Sequence, residues 1–296
     1  MDINYELYKV FYHVANTLSF SEASKQLFIS QSAVSQSIKV LEKKLNQPLF
    51  IRSTKRVQLT PEGEILLKHI EPAMNLIRQG ENQLLEANTL NGGQLRIGAS
   101  DTICRYFLVP YLSRFHKEYP NIHIKVTNQT SIGCVDLLEN GSVDLIFTNY
   151  PNSRLGNGKQ VQHIKDFQDC FIASRKYYGE LEHQPLSFKE LLNYPILMLD
   201  RNSTTSEFLH ALFQQHQLDL VPEIELSSND LLLDLADIGL GIAFVPDFCL
   251  ARAGGDLFQI PLKATLPTRQ LALAYSDKMP ISNAAKQFIQ YFSQNS

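Results

Sequence analysis

"FISQSAVSQSIKVLEKKL", Phe28 to Leu45, carries Gln31, Ser32, Ser35, Gln36 and Lys39 on one side and Val34, Ile38, Leu41 and Leu45 on another. The apolar residues recur at steps of four, three and four, which is one stripe of an amphipathic helix. Ser30 stands just ahead of the stripe, where a side-chain oxygen can accept an orphan N–H of a helix start. Taken alone, such a segment is an ordinary surface helix with a solvated face. Its neighbours change that reading.

Upstream, Leu7, Val10, Phe11, Val14 and Ala15 follow the i, i+3, i+4, i+7, i+8 pattern of a helix with one buried face. A second short helix follows in "SFSEASKQLF", capped either by Ser19, with Glu22 completing a capping box, or by Ser21. Ala23 and Leu27 face inward, with Phe28 a third candidate. The Ser30 helix begins two or three residues later, which leaves room only for a tight turn. Two short helices so joined, the second with a polar outer face, read as a helix-turn-helix. Gln can donate and accept at a base edge, and Ser can meet base or phosphate. Gln31, Ser35 and Gln36 are therefore expected near base edges, with Ser32 and Lys39 near phosphate or the groove margin.

Downstream, "LNQPLFIRSTKRVQLTPEG" supplies a wing. Asn46 suits the left-handed conformation that ends a helix. Leu49–Arg52 and Arg56–Leu59 are short strand candidates with "STK" between them, so Arg52, Lys55 and Arg56 gather on a hairpin that can lie against phosphates. Three basic residues on a loop would ordinarily be a solvated turn. The adjoining helix-turn-helix reverses that preference.

The 296 residues are 44% hydrophobic and 19% charged, an ordinary globular composition with room for two or three domains. No run approaches the ~18 apolar residues of a membrane span, so no membrane partner is expected. "MDINYELYKV" has charges inside its apolar pattern and reads as no signal peptide. Cys104, Cys134, Cys170 and Cys249 are scattered, with no CxxC, which suits a reducing cytoplasm and suggests neither disulfides nor a zinc site. The net charge is only −3, but residues 1–60 hold eight Lys/Arg against four Asp/Glu, while the rest is acidic. A basic head on an acidic body is the asymmetry expected of a chain that meets a polyanion at one end.

These residues resemble the LysR-type transcriptional regulators. The resemblance runs through "SFSEASKQLFISQSAVSQSIKVLEKKL", "PLFIRSTKRVQLTPEGEILL" and, far downstream, "DIGLGIAFVPDF". Many members carry Gly-Val where this chain has Asn46-Gln47, and often Pro where it has Ser32. The resemblance spans essentially the whole chain. It implies double-stranded operator DNA and a small-molecule effector as partners, with RNA polymerase a third if the protein activates transcription.

Thr60 then caps, and Pro61 takes the first helical position, where its missing N–H is harmless. From there Gly63, Leu66, Ile70, Ala73, Ile77, Gly80, Leu84 and Ala87 are separated by alternating steps of three and four. That is a heptad seam, the signature of two helices wound together. Leu66, Ile70, Ala73, Ile77 and Leu84 are the expected dimerisation contacts, although Pro72 should bend the helix. A homodimer follows, and the resemblance favours a homotetramer.

"NTLNGG", residues 88–93, is turn-rich and marks a boundary. Strands and helices alternate beyond it, in an α/β arrangement with a mainly parallel sheet. The expected fold is therefore multidomain. An all-α-dominated winged helix-turn-helix head (1–60) leads through a linker helix (61–90) to an α/β two-lobed domain (91–296), which resembles the periplasmic-binding-protein fold. Lobe one would span 93–164 and 266–296, and lobe two 165–265.

In open α/β sheets ligands bind beyond the carboxyl ends of strands, near helix N-termini. That rule selects Ser100 and Thr102 after "LRIGA", Thr130 and Ser131 after "IKVTNQ", and Thr148 and Asn149 after "DLIF". After "ILMLD" it selects Arg201, Asn202, Ser203 and Thr204. Each hydroxyl alone is more often a plain helix cap. Convergence from several strand ends on one cleft strengthens the group, and hydroxyls beside helix starts favour an anion, with Arg201 a fork for a carboxylate if it points inward.

No GxSxG, P-loop, HExxH or EF-hand loop is present, and His210 and His216 are six apart, off a common helix face. No catalytic residue, metal or cofactor is therefore expected. A transport-type binding protein would explain only the second half of the chain. A winged head fused to a catalytic domain would need a nucleophile–base pair that the cleft does not offer.

Overall fold

A computed structural model describes residues 3–52, 56–88, 93–250 and 255–293. The chain divides into two compact bodies, one of the residues up to Asn88 together with 140–142 and one of the remainder. The first comprises α1 (Tyr5–Thr17), α2 (Phe20–Leu27), α3 (Gln31–Leu45), β1 (Phe50–Arg52), β2 (Val57–Leu59) and α4 (Pro61–Asn88). Ser19 is the cap of α2, its hydroxyl accepting the Glu22 N–H at 3.2 Å. Ser30 caps α3 in the same way through the Ala33 N–H. Left-handed Leu18, Phe28 and Asn46 end the three helices. Phe11, Val14, Ala23, Val34, Ile38 and Leu41 form the core with no exposure, and the Phe50 ring packs 5.5 Å from that of Phe11. Phe28, an inward candidate by sequence, is instead 95% exposed, because its left-handed backbone turns the side chain away from that core.

The wing is fixed to α3. Glu42 accepts the N–H groups of Leu49 and Phe50 at 2.9 and 3.3 Å, and β1 pairs antiparallel with β2. Thr60 caps α4 by accepting the Gly63 N–H at 3.0 Å while donating to the Pro48 carbonyl at 2.7 Å. A side chain at Gly63 would meet the Leu49 carbonyl oxygen at 2.3 Å, so glycine is required by a close approach of the helix to the wing. Gly63 therefore belongs to the head and not to a seam. Leu66 and Ile70 likewise pack against the head core. From Ala73 onward the same spacing faces outward: Ala73 and Gly80 are exposed, and Ile77 and Leu84 are 43% and 71% exposed. The helix continues through Pro72.

The second body runs β3 (Gly93–Ala99), α5 (Asp101–Ile103), a π-helical turn over Cys104–Leu108, α6 (Val109–Glu118), β4 (Ile122–Asn128), α7 (Ser131–Glu139), β5 (Leu145–Tyr150) and β6 (Lys159–Phe167). It continues with β7 (Asp169–Ser174), α8 (Arg175–Tyr178), a 3-10 turn (Gly179–His183), α9 (Phe188–Leu191), β8 (Ile196–Leu199) and α10 (Thr204–Gln215). β9 (Ile224–Leu226), α11 (Asn229–Asp237), β10 (Ile242–Pro246), α12 (Asp247–Leu250), β11 (Leu257–Gln259), β12 (Arg269–Ser276) and α13 (Asn283–Ser293) complete it.

Two five-stranded sheets result, ordered β4-β3-β5-β12-β6 and β11-β7-β10-β8-β9. Each has three parallel strands, β4-β3-β5 and β10-β8-β9, and two antiparallel ones. The sheets are thus more mixed than the alternation of strands and helices suggests, since β6 and β12 meet as neighbours where the chain passes between lobes. The first crossing falls at Gln168, later than the expected 165, because β6 pairs with β12 as far as Phe167↔Arg269. The glycines of "GLGIAF" turn α11 into β10, and Gly239, at φ 82°, lies under the Tyr177 ring, which a Cβ would meet at 2.4 Å.

Candidate functional site

On the helical body, the outer face of α3 presents Gln31, Ser32, Gln36 and Lys39 to solvent, with Ser35 half-buried beside them. The opposite face, Val34, Ile38 and Leu41, is wholly buried, which fixes how the helix is turned. The Ser32 hydroxyl lies 2.9 Å from that of Ser30, close to the helix start. Arg56 is exposed just before β2. The backbone of Arg52 belongs to β1, but its side chain and the whole of Lys55 lie outside the described residues.

In the α/β body a cavity of about 420 Å³ opens between the two sheets, within the size range of small-molecule sites. Four helices begin at its wall: α5, which runs unbroken through the π-turn into α6, together with α7, α10 and α11. The first-turn N–H groups of each have no partner within their own helix and carry its positive dipole end. Ser100, Thr130, Ser203 and Ser228 cap these starts, accepting the N–H groups of Ile103, Gly133, Ser206 and Leu231 at 3.1–3.4 Å. A hydroxyl that accepts in this way keeps its own proton to donate. Ser203 has already spent its proton on the Asp200 carbonyl at 3.0 Å.

Ser100, Thr102, Thr130, Ser131, Asn149, Ser203 and Thr204 all line this cavity. Thr148 does not: it lies inside β5, fully buried, donating to the Asn149 carbonyl at 3.1 Å and accepting from the Asn152 amide at 2.8 Å. Side chains alternate along a strand, so Asn149 reaches the cavity while Thr148 faces away from it. Arg201 is exposed and absent from the lining, because the turn after β8 folds back on Asp200, whose carboxylate takes the Asn202 N–H. Sequence reasoning missed Ser228 and Asn229, although the same strand-end rule applied to β9 would have found them.

Among the described residues the lining holds no Lys, Arg or His, and its ionisable side chains are Asp101 and Asp200. Attraction for a negative group at this wall therefore rests on helix ends, hydroxyls and side-chain amides. The two lobes meet beside the cavity. Asn229 on α11 donates to the Thr102 hydroxyl at 2.9 Å, and Asp230 accepts from Tyr106 at 2.6 Å and from Arg105 at 3.1 Å. Burial, then the bond to Asp230, raises the Tyr106 phenol above its ordinary range, so the tyrosine stays a donor. Tyr106→Phe is expected to lower unfolding free energy by about 1 kcal/mol, a discounted value for a partly exposed bond to a charged group. Denaturant titration of the full chain measures it, and unchanged stability would mean that the bond contributes nothing net.

Burial pushes the Cys104 thiol up to about 11, with Asp101 adding to the effect, and Cys134 and Cys170 up to about 12. None of these is a poised nucleophile. Among the described residues no His/Cys/Asp/Glu group could hold a metal, and no helix is long and apolar enough to cross a membrane.

Two family models match the chain. "Bacterial regulatory helix-turn-helix protein, lysR family" covers residues 5–64, and "LysR substrate binding domain" covers 88–296. The HTH-type transcriptional activator CmpR of Synechocystis sp. is 27% identical over 286 residues, covering 96% of this chain and 93% of that protein. A probable RuBisCO transcriptional regulator of Emiliania huxleyi is 28% identical over 281 residues, covering 91% and 88%. Full-length CbnR, solved with its target DNA, superposes with a TM-score of 0.71 at 17% identity over 99% of this chain and all of that one. The regulatory domain of Synechocystis CcmR in complex with 2-PG gives 0.62 at 21% identity over 68% of this chain and 96% of that one. The chain belongs to the LysR family of transcriptional regulators, non-enzymatic proteins with a helix-turn-helix segment ahead of an effector-binding domain.

Proposed function

We propose that this regulator answers to a small anion held between the two lobes of its α/β body, and that lobe closure changes how its DNA-binding heads engage an operator. One observation carries the reading: among the described residues, four helix starts converge on one cavity. A helix start favours a nearby negative charge by about 0.3–1 kcal/mol, and up to about 2 when partly buried. Donors from Ser100, Thr102 and Thr130 would complete the shell of an oxygen-rich anion. The 2-PG in complex with the CcmR regulatory domain makes that compound the first to try.

The test is calorimetry of the full chain with carboxylates, phosphate esters, inorganic phosphate and sulfate, against neutral analogues of similar size. Anions alone should bind, and Thr102→Ala should weaken that binding about tenfold, the worth of one hydrogen bond to a charged group. Operator affinity without the anion should be unaltered. Binding of neutral or cationic compounds only, or a Thr102→Ala protein with undiminished anion affinity, would make these hydroxyls helix caps and nothing more.

We further propose that α3 enters the major groove with Gln31, Ser35 and Gln36 toward base edges and Ser32, Lys39, Arg52, Lys55 and Arg56 toward phosphates. The head would act as one half of a homodimer joined through the outward face of α4. Gln36→Ala should then cost roughly 1–3 kcal/mol on a selected operator and little on random DNA. Gel-shift titrations on both DNAs decide this, and equal losses would remove the base-reading role.

A further inference from the structure

Phe28 is the most exposed large apolar side chain of the chain's described residues, at 95%. It sits at the end of α2, two residues ahead of Ser30, the cap of α3. Its φ of 55° is a region that suits glycine or asparagine and disfavours a bulky residue. The turn is nevertheless firmly held: Phe28 N–H donates to the Lys25 carbonyl at 3.3 Å and Ile29 N–H to the Ser24 carbonyl at 3.1 Å. Ile29 beside it is 41% exposed. The fold gains nothing from an aromatic ring here, since the position is both conformationally unfavourable and open to water. A benefit has to come from something that covers the ring when the protein works.

The surface is continuous with the start of α3, the end of a recognition helix whose residues meet base edges. The one apolar group that a base pair offers in the major groove is the thymine 5-methyl. We infer that Phe28 reads a thymine, its ring packing on that methyl at the edge of the base pairs addressed by Gln31. The inference rests on α3 being the helix that enters the groove, and it is independent of the identity of the effector. It makes Phe28 a specificity-determining residue contributed by the turn, where the polar face of α3 supplies the hydrogen bonds.

The test uses the full chain and an operator selected from random-sequence DNA by the protein itself. Each thymine is replaced in turn by deoxyuridine, which removes the methyl and leaves every hydrogen-bonding group in place. One such replacement should weaken wild-type binding about fivefold, a modest apolar contact on the scale of base discrimination. Phe28→Ala should lose a similar factor on the unmodified operator and be indifferent to that same replacement. Phe28→Asn, which suits the left-handed backbone, should behave as the alanine variant does, separating contact from folding. The inference is overturned if Phe28→Ala binds as wild type does, if it loses affinity equally for operator and random DNA, or if both variants keep the wild-type response to every replacement. Gln36→Ala keeps the two readings apart. Base-selective loss there with none at Phe28 removes only the thymine contact, whereas no base-selective loss at either removes the placement of α3 as well.

Discussion

Replacing Arg269 with methionine is expected to destabilise the α/β body by about 3–5 kcal/mol, the cost of stranding one charge of a buried pair. Arg269 is 1% exposed, and its guanidinium donates to Asp169 at 2.8 Å and to Thr205 at 3.2 Å. The rings of Phe167 and Phe208 flank it at 5.3 and 5.0 Å. Burial raises the Asp169 carboxyl above its ordinary value, and the Arg269 charge opposes that shift. Without the arginine the opposition is gone, so the folded-state value moves further up. A carboxyl whose folded value exceeds its unfolded one contributes stability that is present in acid and lost as pH rises through the folded value. The deficit of Arg269→Met should therefore grow from acid toward neutral pH.

The pair is costly in itself, since Asp169 Oδ1 and Arg269 Nε and Nη2 are buried with no hydrogen-bond partner among the described residues. Removing both charges, as in Arg269→Met with Asp169→Leu, should accordingly recover most of the loss. Denaturant titrations of wild type, both single variants and the double variant at two pH values measure this. A double variant no more stable than Arg269→Met, or a deficit independent of pH, would refute the account. The position of the pair gives it a second interest. Asp169 opens β7 immediately after the first crossing between lobes, Arg269 opens β12 after the second, and Thr205 lines the cavity. One buried guanidinium thus ties both crossings to the start of α10.

No local pattern could have disclosed that arrangement, because its members are 100 and 64 positions apart and each looks unremarkable among its neighbours. The helix-turn-helix was legible for the opposite reason. Ser19, Ser30, the Val34–Ile38–Leu41 stripe and the left-handed Asn46 are all signals within a few residues of what they specify. The cleft lies between these extremes. The strand-end rule reached Ser100, Thr102, Thr130, Ser131, Ser203 and Thr204 because those hydroxyls cap or follow caps, and capping is local. It failed at Thr148, which faces away from the cavity on the strand that brings Asn149 to it, and at Arg201, where the turn geometry decides which way a side chain leaves. Steps of three and four say that a helix has one apolar face and do not say what covers it. Gly63, Leu66 and Ile70 obey the same spacing as Ile77 and Leu84, yet a wing and a helical core within the same body take up the first three.

What remains uncovered is therefore the place to expect a partner helix, and Ile77→Asp is the variant that tests it. Ala73, Ile77, Gly80 and Leu84 lie at steps of four, three and four, all exposed, and a Cβ at Gly80 would meet nothing within 4 Å. Such a face fits a second copy of α4 wound against the first, with Gly80 allowing close approach. In a symmetric pair the substitution introduces two carboxylates at once, each losing water without a counter-charge. A weakening of the dimer by about 3 kcal/mol or more, roughly 150-fold in dissociation constant, is expected. Binding to a two-half-site operator should fall with it, while binding to a single half-site is unchanged. The head itself should keep its fold, because its core ends with Leu66, Leu67 and Ile70, well short of position 77. Light scattering gives the mass, circular dichroism the helix content, and gel shifts on one and two half-sites the DNA response. A full dimer mass for Ile77→Asp at micromolar concentration would mean that α4 does not hold the copies together and that its exposed face serves something else.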